Sequence, residues 1–137
     1  MSTLNQSTER MSFSKVLKAG FIAGFISAGL NNIWSFIAQA LGSNTPPGFP
    51  IAVTLSSIIP TVIGAILFYV LVLYLRNGGT IFIIIAAVFT SSSLFPTLTT
   101  TEFQDGTPVG DGFTLLTLPM HLISGAVAVW AIPKFSK

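Results

Sequence analysis

The stretch "KVLKAGFIAGFISAGLNNIWSFIAQAL", residues 15–41, decides the fold of this chain. From Ala19 to Leu41 it carries no charged side chain, and it is longer than the roughly 20 residues a helix needs to cross the hydrocarbon of a bilayer. In that medium every backbone N–H and C=O must find its partner inside the segment, which a helix provides and an isolated strand does not. Lys15 and Lys18 precede the apolar run, and "AQA" (38–40) has the small-residue form of a cleavage site. The run is nevertheless longer than the core of a secretory signal, about 7–15 residues, so it is read as a retained span.

The rest of the chain repeats the theme. Three further apolar stretches run over about 51–75, 80–98 and 113–133. None shows the strict alternation of a membrane β-strand. Of the 137 residues, 51% are hydrophobic and 7% charged, whereas a soluble domain carries about 25% charged residues. Lipid must therefore solvate much of the surface. The expected fold is all-α, a transmembrane four-helix bundle forming one domain over 15–137 behind a polar tail, 1–14. "GSNTPPGFP" (42–50), "RNGG" (76–79) and "TTTEFQDGTPVGDG" (99–112) interrupt the spans with prolines and glycines.

Charge placement sets an orientation. Arg10, Lys15 and Lys18 precede span one, Arg76 lies in the second turn, and Lys134 and Lys137 follow span four. In a four-span chain these regions share one side, and they hold all six basic residues. Glu102, Asp105 and Asp111 lie in the last connection, on the other side. The positive-inside rule predicts cytoplasmic termini in a multi-pass protein of the cell membrane, read as a bacterial inner membrane.

Polar residues inside the spans then fall at one depth. Asn31, Asn32, Ser35 and Gln39, the hydroxyls between Thr54 and Thr61, "TSSS" (90–93), and His121 with Ser124 all occupy the outer halves. Facing lipid, an amide or imidazole would lack partners at a cost of several kcal/mol, so these groups are expected to turn inward. The expected site is an outer-half polar pocket with Asn31, Asn32, Gln39, Ser57, Ser92 and His121 as ligand-binding residues. The plainer alternative is interhelical hydrogen bonding alone. His121, the chain's one histidine, is a functional candidate as an intramembrane ionisable group, but one site makes no proton relay. Pro60 and Pro119 predict kinks with freed carbonyls.

"GFIAG" (20–24) with Ala28 places small residues at every fourth position, for close packing within the chain or, through Gly20, Gly24 and Ala28, against another copy or a larger membrane complex. The absence of cysteine excludes disulfides, thiolate metal sites and thiol catalysis. No nucleophile elbow, phosphate loop, metalloprotease motif or nucleic-acid-binding basic surface is present. No cofactor is named by the sequence. The expected function is non-enzymatic: an accessory subunit, or a binder of a small neutral or lipid-like ligand. A homo-oligomeric channel or transporter is the rival, and an enzyme using His121 a third reading.

The segment "AGLNNIWSFIAQAL" (28–41), Pro60 with Gly64, the serine run ending at Pro96, and "MHL" (120–122) together resemble a bacterial family of small four-span membrane proteins of unknown function. The resemblance covers most of the chain. It implies the architecture, and it brings no reaction and no functional residues.

Overall fold

The computed structural model describes residues 11–103 and 105–137. Four helices follow one another: α1 (Phe13–Ala40), α2 (Phe49–Tyr74), α3 (Gly78–Thr99) and α4 (Phe113–Phe135). Each is long and apolar enough to cross a membrane. The helix boundaries lie within two residues of the expected spans, because Pro and Gly mark the ends. Ser12 caps α1 by accepting from the Lys15 backbone N–H at 3.2 Å. Gly48 and Gly112, both at positive φ, open α2 and α4. Of the expected polar tail, residues 1–10 lie outside the described residues, and residues 13–14 already belong to α1.

The helices do not pack symmetrically. α1 lies against α2 and α4 along most of its length, while α3 touches α4 and α2 and makes no contact with α1. The α1–α2 seam is the small-residue stripe. A Cβ built on Gly20 would lie 2.6 Å from the Ala65 Cβ, and one on Gly24 would lie 2.8 Å from the Ile58 Cα. Both glycines and Ala28 are buried. The stripe expected to serve packing within the chain or between copies is thus packed against α2 at Gly20 and Gly24.

At the opposite edge, α2 turns into α3 through three residues. Gly78 sits so close to the Leu71 carbonyl that no Cβ fits there. The ring of Phe68 on α2 meets Phe82 on α3 edge-on at 5.2 Å. These contacts hold the two helices together at the end that carries the termini. That end also bears Lys134, whose ammonium lies 4.6 Å over the exposed Trp130 ring, an arrangement suited to a membrane interface.

Two apolar clusters form the interior. One, at the termini end, gathers Val16, Ala23, Ala65, Phe68, Phe82, Val127, Ala131 and Ile132. The other, at the distal end, gathers Ala38, Val53, Leu116 and Met120. Between them α1 presents polar side chains. The distal connections close over this end: Ser43 donates to the Gly112 carbonyl at 3.0 Å, and a one-bridge hairpin pairs Glu102 with Pro108. Within that hairpin, the Thr107 hydroxyl and N–H hold the Asp105 carboxyl below its ordinary pKa.

Close packing at Gly24 predicts a contrast between two glycines of one helix. Gly24→Ala will lower the thermal unfolding midpoint in detergent, at a cost of about 1–3 kcal/mol for overpacking. Gly29→Ala, whose Cβ meets nothing within 4 Å, will leave the midpoint unchanged or raise it.

Candidate functional site

The polar centre is built around Asn31, which is 3% exposed. Its Nδ2 donates to Ser57 Oγ on α2 at 3.0 Å and to Ser124 Oγ on α4 at 2.9 Å. Ser124 is also hydrogen-bonded to Ser27 at 2.8 Å. Three helices are thus tied at one level by one amide. The orientation of that amide follows from its neighbour. Ser57 donates its only proton to the Val53 carbonyl at 2.8 Å, and a carbonyl has none to return. Ser57 can therefore only accept from Asn31, which fixes Nδ2 toward it. Both amide protons are then used, and Asn31 Oδ1 is left buried without a hydrogen-bond partner among the described residues.

A cavity of about 850 Å³ adjoins this centre, bounded by α2, α3 and α4 with Asn31 at its back. This volume lies within the range of small-molecule sites, about 300–1,000 Å³. Most of its wall is apolar, including Val53, Leu67, Phe82, Ala86 and Met120. Its polar lining comprises Asn31, His121 and seven hydroxyls: Ser56, Ser57, Thr61, Thr90, Ser93, Thr117 and Ser124. No charged side chain lines it. Ile63 of α2 and Phe89 of α3 both line the cavity and are 61% and 67% exposed. Its mouth therefore lies between α2 and α3, on the face turned toward lipid.

α3 reaches the site through α4. Gly125 lets the Thr90 side chain approach so closely that any Cβ would collide with it. Farther out, Thr114 donates to the Thr97 carbonyl at 3.4 Å. His121 lies one helical turn from Ser124, half-buried in the cavity wall, and makes no hydrogen bond to a described residue. It therefore forms no Ser–His pair, and no group of three or more His, Asp or Glu side chains among the described residues is placed to hold a metal.

The six expected site residues divide evenly. Asn31, Ser57 and His121 line the cavity. Asn32 faces another way: its Nδ2 donates to the Ala28 carbonyl and to Thr54 Oγ1, at 2.8 and 3.1 Å. Gln39 folds back onto Ser35, bonding its carbonyl and hydroxyl. Ser92 is exposed, and Ser93 lines the cavity instead. The buried polar row of α1 is Ser27, Asn31 and Ser35, at four-residue spacing. That spacing is visible in the sequence and was the missed signal.

Pro119 completes the picture on α4. It has no N–H for the Leu115 carbonyl one turn back, and the Trp34 indole N–H donates to that carbonyl at 3.1 Å. Trp34 sits deeper than an interfacial ring because it supplies the bond that proline removes.

Comparison with known proteins adds the family. A model of a family of unknown function, DUF6069, matches residues 12–137. The chain belongs to DUF6069. No curated protein and no solved structure gives a significant match. The DUF6069 match spans all four helices and both apolar clusters, so the polar centre lies wholly within the family region.

The amide centre predicts unequal serines. Ser57→Ala leaves an Asn31 N–H unpaired and will cost about 1 kcal/mol of unfolding free energy in detergent. Ser92→Ala, on the exposed face of α3, will leave the unfolding curve in place.

Proposed function

We propose that this DUF6069 protein is a non-enzymatic integral membrane protein that holds a small neutral or lipid-like ligand between α2, α3 and α4. The observation that carries the reading is the cavity itself: a volume of ligand size, walled mainly by apolar side chains, with Asn31 and His121 at its polar back. Its mouth between Ile63 and Phe89 suits entry from the acyl-chain region rather than from water. The absence of charge along its lining favours an uncharged occupant, since a desolvated ion without a partner is costly. The same feature weighs against the rival channel or transporter, which commonly needs charged rings or ionisable coupling groups.

Full-length protein purified in mild detergent will retain a neutral lipid or small apolar molecule, detectable by mass spectrometry after extraction. Ala86→Trp, which fills the cavity from the α3 wall, will lose that molecule while remaining folded. Retention undiminished by Ala86→Trp, or no retained molecule in either protein, overturns the reading. Ion flux in liposomes containing the protein, lost on Asn32→Leu, would establish the channel instead.

We also assign both termini to the cytoplasmic side, from the six basic residues flanking the termini end. The chain has no cysteine, so single-cysteine variants report cleanly. Asp105→Cys will react with a membrane-impermeant maleimide on intact cells, and Lys137→Cys only after permeabilisation. The reverse pattern inverts the assignment.

A further inference from the structure

The lining of the cavity changes character along the bundle axis. On α3 it passes from Ser93 and Thr90 to Ala86 and Phe82, and on α4 from His121 and Ser124 to Ala128. On α2 it passes from Ser57 and Thr61 to Gly64 and Leu67. Every lining hydroxyl and the imidazole thus lie toward the distal end, and toward the termini end only hydrocarbon follows. The three boundaries are level, since Thr90 packs on Gly125 and Asn31 bonds both Ser57 and Ser124. The apolar half has a closed floor. Phe82 is buried against Phe68, and a Cβ on Gly64 would already touch Phe82 and Ile132. From Thr90 down to Phe82 the α3 wall descends about 12 Å, at about 1.5 Å per residue.

The polar half holds two groups that are still free to bond. His121 and Thr90 make no hydrogen bond to a described residue, and neither the ring nitrogens nor the hydroxyl is sealed from contact. His121 stands at the centre of the α4 face that forms the wall, because Thr117 one turn before it and Gly125 one turn after it also line the cavity. Ser56, Ser93 and Thr117 have each given their proton to a carbonyl of their own helix and present lone pairs.

We propose that the occupant is a neutral acylglycerol drawn from the leaflet at the distal end, its glycerol head at His121 and Thr90 and its chain directed to the Phe82 floor. This rests on the ligand-cavity reading above and adds a chemical class and an orientation. A lipid of that leaflet already stands with its head toward the distal end and its chain toward the midplane. It passes sideways through the mouth between Ile63 and Phe89 without turning over. A lipid of the other leaflet would bring its head against Leu67 and Phe82, where no polar group meets it. The ester carbonyl accepts from His121 or Thr90, and the glycerol hydroxyls donate to the lone pairs of the wall. A plain hydrocarbon leaves both free groups unused, and a charged headgroup finds no counter-charge in the lining.

The test uses two photoreactive forms of monocaprin, an acylglycerol whose chain matches the apolar half in length. One carries a diazirine at the chain end, the other on the glycerol. Each is crosslinked to the full-length protein in nanodiscs, with and without excess plain monocaprin, and the displaceable label is mapped by peptide mass spectrometry. The chain-end form is expected to label residues 63–67 and 82–86, and the glycerol form residues 90–93 and 117–121. Ala86→Trp will abolish both labels. His121→Leu will weaken monocaprin binding about fivefold, the effect of one lost hydrogen bond, without lowering the unfolding midpoint. Undiminished binding to His121→Leu overturns the head assignment. Labels in the reverse order, or both forms on the same residues, overturn the orientation and leave the cavity reading standing. No displaceable label, while the purified protein retains another molecule, overturns the acylglycerol alone. No displaceable label and no retained molecule overturn both readings.

Discussion

The structure depends on one constraint: a primary amide in the interior of a hydrocarbon-embedded bundle must find its partners among other helices. Asn31 finds two, Ser57 on α2 and Ser124 on α4, and by doing so sets the rotation of α1 against both neighbours. The glycines at 20 and 24 then determine how close α2 can come, and the amide determines the register at which it stops. Lipid competes poorly for such groups, so even modest hydrogen bonds select one arrangement over its slipped alternatives. Van der Waals packing at the small-residue seam supplies attraction; the amide supplies direction.

This division explains why the bundle is lopsided. α1 carries both the small residues and the amide, so α2 and α4 crowd onto it. α3 has neither. Its described attachments are the tight turn and Phe82 near one end, Thr90 against Gly125 midway, and Thr97 with Thr114 farther out. The space it fails to fill is the cavity. A helix as apolar as α3 loses little by facing lipid on most of its surface, which is why such a gap persists without collapse.

Much of this was legible in the residues. Span positions follow from runs of apolar side chains ended by Pro and Gly, a signal that needs no knowledge of neighbours. The depth of the polar groups was legible for the same reason, since rise along a helix is fixed at about 1.5 Å per residue. What could not be read so directly was direction around each helix. Asn31 and Asn32 are adjacent, yet one ties three helices together and the other bonds Thr54 and its own backbone. Ser92 and Ser93 differ in the same way. A step of about 100° per residue turns one neighbour in and the other out, and only the identity of the packed face decides which. The ladder Ala23, Ser27, Asn31, Ser35, running beside the Gly20–Gly24–Ala28 stripe, marked that face.

The bond from Trp34 to the Leu115 carbonyl has a consequence for how the protein is made. α4 is made after α1, and Pro119 within it leaves the Leu115 carbonyl without its backbone partner. No described residue within α4 repairs that defect; the repair comes from α1, which is made earlier. That carbonyl therefore stays unmatched during synthesis until α4 docks against α1.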